Sequence, residues 1–262
     1  MNLSTPIANP QKPVSSEPSI LCNSQQFDIC IADTPKLREE VFKIRYRVYC
    51  QELGYEPLSK FPDKRERDAY DSHSIHLLLK SKSMDAYIGC VRLVLSSNHS
   101  QLQFPFEKIC SKHFLDFNEI PRTSYGEVSR LAVLRDFRHW ELKNGHIDFS
   151  QAENKLMKRR LSIIPLMLYL AVTGIIADLG LDYGISFMEP RLSRQLKSYG
   201  LNSYPCGEIM DFRGKRGLFL METAEAVNNI SRDVYLYNLF ERIKNTITID
   251  SLTHIVDGRC YG

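Results

Sequence analysis

Tyr125-Gly126-Glu127-Val128-Ser129-Arg130-Leu131-Ala132-Val133-Leu134 reads as a strand with two charges in its interior. Apolar and small residues fill the rest, as expected where both faces of a sheet are covered. Glu127 and Arg130 stand three apart, so a regular strand would aim them at opposite faces. A bulge between them would bring both to one side. Upstream, Ile88-Gly89-Cys90-Val91-Arg92-Leu93-Val94-Leu95 is apolar on both faces and is broken only by Arg92. It belongs to a strand over 86–96, joined to one over 74–80 by the polar turn Ser81-Lys82-Ser83-Met84-Asp85.

Further upstream the period changes. Leu37, Val41, Ile44 and Val48 recur at helical spacing and predict a helix over 36–53, after a short strand at 27–31. Arg45 falls inside the arc that must face the core, where a charge is costly unless paired, so it requires a carboxylate. The proline- and charge-rich stretch 55–70 reads as a loop. Downstream, the pattern predicts a long helix over 154–179, a strand over 183–189 and a short helix over 190–198. A hairpin over 201–223, turning through Gly214-Lys215-Arg216-Gly217, precedes an amphipathic helix over 229–244. Residues 1–26, rich in Pro, Ser, Asn and Gln, are expected to be a disordered arm before one domain over 27–262. Strands interspersed with helices argue for a mixed α/β sheet.

Composition excludes several functions. Net charge is +3, with 34 Lys and Arg mixed among 31 Asp and Glu, which argues against nucleic-acid binding. Seven scattered cysteines form no CxxC pair or zinc-ligand spacing, so they read as reduced thiols and no metal is expected. No basic patch followed by an apolar run marks a signal peptide, and a cytoplasmic location is expected. Leu161 to Ala177 carries no charge over seventeen residues, and a helix buried on nearly all sides accounts for it better than a membrane span. Peripheral membrane contact is left open. Gly-x-Ser-x-Gly is absent.

The charges that break local rules are Arg45, Arg92, Glu127 and Arg130, with Asp68 and Asp71 in the loop. A functional site and a purely structural ion network fit them equally well.

Their wording matches a family. Phe42 to Tyr55 resembles the N-terminal signature of acyl-homoserine lactone synthases, with Tyr49 where that family has Phe and Tyr55 where it has Trp. Glu66-Arg67-Asp68-Ala69-Tyr70-Asp71, Gly89-Cys90-Val91-Arg92-Leu93 and Gly126-Glu127-Val128-Ser129-Arg130-Leu131 match its next three elements in order. The fuller wording, with Tyr49-Cys50-Gln51-Glu52, Phe61-Pro62-Asp63 and Ser74-x-His76, resembles the PEP-CTERM/exosortase system-associated acyltransferases, relatives of the N-acyl amino acid synthases. Beyond Trp140 the likeness is weaker.

The resemblance implies an α/β fold of GNAT type, a mixed central sheet with a splay and flanking helices. It implies acyl transfer from a phosphopantetheine thioester, on acyl carrier protein or CoA, to a small-molecule amine, with no bound cofactor. Glu127 is then the candidate base or relay, and Arg45, Asp68, Asp71, Arg92 and Arg130 the ion network shaping the acceptor site. Tyr49, Tyr55 and Ser129 would border the substrates. The charge-free helix would wall an acyl slot. Where an acetyl-CoA enzyme of this fold has a glycine-rich phosphate loop, this chain has Arg135-Asp136-Phe137-Arg138-His139-Trp140. That favours a carrier-protein donor, with Arg135, Arg138 and Lys158 to Arg160 as contacts for phosphate or an acidic carrier.

Overall fold

The computed structural model describes residues 24–96, 103–110, 114–138 and 162–247. Eight strands among them form a sheet in the order β1-β2-β3-β4-β5-β8-β6, with β7 paired to β8 on the side. They are β1 (Phe27–Ile31), β2 (Ser74–Ser81), β3 (Ala86–Val94), β4 (Tyr125–Val133), β5 (Tyr183–Met188), β6 (Tyr204–Pro205), β7 (Met210–Asp211) and β8 (Lys215–Glu222). β4 and β5 pair in parallel, and the other neighbours are antiparallel.

Helix α1 (Pro35–Tyr46) starts where the Thr34 hydroxyl accepts the Leu37 N–H and a proline opens the first turn. It buries Val41, Ile44, Arg45 and Tyr46, then runs into a wide π-type turn, Arg47–Glu52. Such turns insert an extra residue into the helix and recur at functional sites. A short α2 (Pro105–Ile109) lies against β4. α3 (Ile163–Asp178) has 13 of its 16 residues buried and forms the spine of the main core. At about 1.5–3 kcal/mol for each large aliphatic side chain, that burial is a leading contribution to stability. α1 packs on β2, β3 and β4, and α3 crosses β2 to β5. No helix among the described residues is long and apolar enough to cross a membrane.

α4 (Pro190–Lys197) follows β5, and two helices close the described chain: α5 (Thr223–Ser231) and α6 (Val234–Thr246). Here the sequence expectation needs correction. A single helix over 229–244 was expected, but Asp233 accepts the N–H groups of Tyr235 and Leu236 and starts a new helix. The 201–223 hairpin is also different. Its first arm is two short strands, and its turn is Phe212-Arg213-Gly214, where Arg213 and Gly214 both take positive φ. Lys215 and Arg216 therefore lie in β8 rather than in the turn. Ser24 to Gln26, placed in the disordered arm, form a short turn, with Ser24 buried and accepting from Arg242. The rest of that arm, Trp140 and the 154–161 part of the long helix lie outside the described residues.

Candidate active site

The bulge that the Glu127–Arg130 spacing required is present. Along β3, Cys90 pairs with Ala132 and Arg92 with Ser129, so Val91 of β3 faces two residues of β4, Arg130 and Leu131. Arg130 sits at the extra position with φ of 53°, a left-handed conformation that costs a non-glycine residue about 1–2 kcal/mol. Surrounding contacts must hold it there. Those contacts are ionic.

Three arginines and three carboxylates meet on the α1 face of the sheet. Arg45 is fully buried; its Nε donates to Glu66 and its Nη1 to Asp71 at 2.6 Å. Arg92, also fully buried, donates through Nη1 to Asp68 at 2.6 Å and Asp71 at 2.8 Å, and through Nε to the Ser129 hydroxyl at 3.1 Å. Arg130 donates to Asp68 at 2.9 Å and Glu66 at 3.2 Å. Burial alone would raise the Asp71 carboxyl, but Arg45 and Arg92 outweigh it and hold it well below the usual carboxylate range. Asp68 is lowered in the same way, chiefly by Arg92.

Glu66 was quoted in the loop motif but not singled out as a site residue. It is 1% exposed and joins Arg45 to Arg130. Arg45 needed a carboxylate, and the motif containing Glu66 was the available signal. His76 lies beside this cluster, its Nε2 3.4 Å from the Asp71 carbonyl oxygen; burial pulls its pKa down to about 3.

Glu127 stands apart from these pairs. It is 3% exposed, and its carboxylate accepts the Phe106 N–H at 2.9 Å from the first turn of α2. Burial pushes its pKa up to about 8, against the pull of that N–H and of Arg92 and Arg130. The side chain shares a face with Ser129, two residues on. A buried carboxyl raised far above the usual carboxylate range beside a balanced ion network is suited to exchanging a proton.

The sheet opens next to it. β4 and β5 pair only from Tyr125↔Tyr183 to Val128↔Ser186, although β4 runs on to Val133 and β5 to Met188. Beyond that point the two strands share no ladder. Val128, Tyr169, Thr173, Ser186, Met188 and Phe219 line an apolar cavity on the α3 side of the divergence. Tyr49 closes the other side, its hydroxyl donating to the Leu131 carbonyl at 2.8 Å and its ring stacked on Tyr55 at 6.3 Å. Burial raises the Tyr49 phenol to about 12.

Arg135 and Arg138, expected to meet phosphate or a carrier, lie at the end of β4 against Glu52. The Arg135 N–H donates to the Glu52 carboxylate at 3.1 Å, the Arg135 guanidinium to the Glu52 carbonyl at 3.1 Å, and Arg138 to the same carboxylate. The backbone at the end of β4 already holds an anion. Lys158 to Arg160 lie outside the described residues.

Residues 44–145 match the acetyltransferase (GNAT) domain. That match, with the mixed sheet and its flanking helices, gives the chain a GNAT-like fold. In three dimensions the chain is similar to TofI in a ternary complex with an inhibitor and MTA, at 20% identity and a TM-score of 0.56, over 80% of this chain and 99% of that one. It is similar also to BjaI, a CoA-dependent acyl-homoserine lactone synthase, with SAM and isopentyl-CoA, at 18% identity and a TM-score of 0.57, over 88% and 99%. Comparison with curated proteins by sequence gives no match. Among the described residues no group of His, Cys, Asp and Glu is arranged to hold a metal.

Proposed function

We propose that this enzyme moves an acyl group from the phosphopantetheine thioester of an acyl carrier protein to the primary amine of an amino acid or a similar small molecule. The observation that carries the reading is the break between β4 and β5 beside Glu127, a buried carboxyl with its pKa near 8. A thioester arm laid in the break would find β4 backbone groups free of β5 partners for its amides and for the developing oxyanion. The acyl chain would pass to the α3 side. The amine would approach from the face of Glu127, which takes its proton directly or through one water as the C–N bond forms and the thiol leaves. Arg45, Asp68, Asp71, Arg92 and Arg130, with Glu66, would fix the loop and the bulge that frame the acceptor. Ser129, Tyr49 and Tyr55 would border it.

A carrier-protein donor is supported by Glu52. Its carboxylate occupies the Arg135 N–H, which a CoA pyrophosphate would need in an enzyme with a phosphate loop at the end of β4. A cytoplasmic location goes with such a donor. The Tyr49-Cys50-Gln51-Glu52 and Ser74-x-His76 wording supports placing the chain with the PEP-CTERM-associated acyltransferases.

The test is to incubate the protein with long-chain acyl carrier protein, acetyl-CoA and a pool of amino acids, and to seek new amides by mass spectrometry. Amides carrying the long acyl chain are expected. Products only from acetyl-CoA would replace the carrier with CoA, and the absence of any amide would turn the reading to a non-catalytic carrier- or lipid-binding module.

A further inference from the structure

The rim of the β4–β5 break carries a cation that the ion network does not use. Arg216, in β8, follows the register one residue past Gly217, which pairs with Met188 at the end of β5. It therefore stands level with the open end of the break. Its Nε is buried with no hydrogen-bond partner, and no carboxylate among the described residues lies within ion-pair distance of its guanidinium. An arginine normally finds an acceptor, and leaving a buried charged donor unpaired is costly.

Its neighbours are already committed. Arg213 pairs with Glu56, which also takes Lys60 at 2.9 Å. Glu52 holds Arg135 and Arg138. Arg45, Arg92 and Arg130 are matched by Glu66, Asp68 and Asp71. The Arg216 guanidinium rests 5.6 Å above the Tyr55 ring. Tyr55 stacks on Tyr49, whose hydroxyl is tied to Leu131 of β4. Tyr55 thus carries the guanidiniums of Arg216 and, at 5.7 Å, Arg213, and through Tyr49 it links β8 to the β4 side of the break. The remaining donors form a flat fork suited to an anion with two oxygens.

We infer that Arg216 is the anchor for an anionic substrate group entering the break, a carboxylate or a phosphate ester. This deepens the acyl-transfer reading and rests on it. Two sources supply that chemistry: the phosphodiester of the pantetheine arm, displaced from the end of β4 by Glu52, and the carboxylate of an amino-acid acceptor.

Binding separates the two sources without requiring turnover. The full chain and its Arg216→Gln variant are titrated with 4′-phosphopantetheine and with pantetheine, then screened by thermal shift with the common amino acids and their carboxamides. The anchor predicts that the parent prefers the charged member of one pair by about tenfold or more, and that Arg216→Gln removes the preference while keeping affinity for the neutral member. A phosphate preference assigns the donor arm, and a carboxylate preference assigns the acceptor. Arg216→Lys should retain part of the preference, and it carries the test should the glutamine variant not fold. A parent that makes neither distinction, or a variant that keeps it, would overturn the inference. Glu127→Gln should discriminate like the parent. Discrimination without amide formation in the parent would sink the acyl-transfer reading and leave the anion site standing.

Discussion

Glu127 and Arg45 are both buried charges on one face of the sheet, yet their surroundings give them opposite roles. Arg45 is bonded to two carboxylates and is fixed as a cation. Removing it leaves Glu66 and Asp71 without its charge, so Arg45→Ala should cost about 3–5 kcal/mol in denaturant unfolding, and loss below about 1 kcal/mol would contradict the network. Among the described residues Glu127 has the Phe106 N–H as donor and no guanidinium within bonding distance, so burial dominates. If it is the base, kcat/KM for amide formation should rise with pH and level off above about 8. Glu127→Gln should lower turnover about 10²–10⁴-fold and flatten that profile without unfolding the chain. Arg45's need for a partner was legible from helical spacing alone. Asp71 was named for that network only through the motif, and Glu66 was missed, because both come from a loop whose path no periodicity records.

At the scale of elements, the irregularities matter most. The bulge in β4 turns Arg130 toward Glu66 and Asp68, and the π-type turn after α1 places Tyr49 against Leu131. Sequence spacing showed that a bulge was required if Glu127 and Arg130 were to share a face, but not which residue would take the left-handed backbone. Propensity favours glycine there, and tertiary pairing overrode it. The π turn left no sequence mark, and Asp233, which divides α5 from α6, was read as part of one amphipathic stretch. The core strands were plain, because buried runs such as Ile88 to Val94 need no tertiary information to be recognised. Close packing at the junction of β3 and β4 gives a further expectation. A Cβ on Gly126 would lie 2.8 Å from a Leu93 methyl and 3.2 Å from the Val94 carbonyl oxygen. Gly126→Ala should therefore destabilise the fold by about 1–3 kcal/mol, measured by the denaturation midpoint, and an unchanged midpoint would mean the strands are looser than described.

Over the whole molecule, the ionisable core sets how stability follows pH. Glu127 is raised from 4.5 to about 8 on folding, so its contribution is complete below 4.5 and is lost as pH climbs toward 8. His76, lowered from 6.5 to about 3, acts in reverse: its contribution is present above 6.5 and fades as pH falls toward 3. Relative to the parent, Glu127→Gln should thus gain in Tm as pH rises from 4.5 to 8. A constant difference across that range would show that the carboxyl is not buried as described. The same architecture couples stability to chemistry, since the network that braces β3, β4 and the loop also frames the break in the sheet. The central claim is that this break receives the thioester arm. A crystal structure with a non-reactive thioether analogue of acyl-phosphopantetheine tests it most directly. The arm should lie between β4 and β5 past Val128 and Ser186, with its carbonyl-equivalent carbon facing Glu127. An arm bound on the outside of the sheet, with β4 and β5 closed beyond Ser186, would contradict the account.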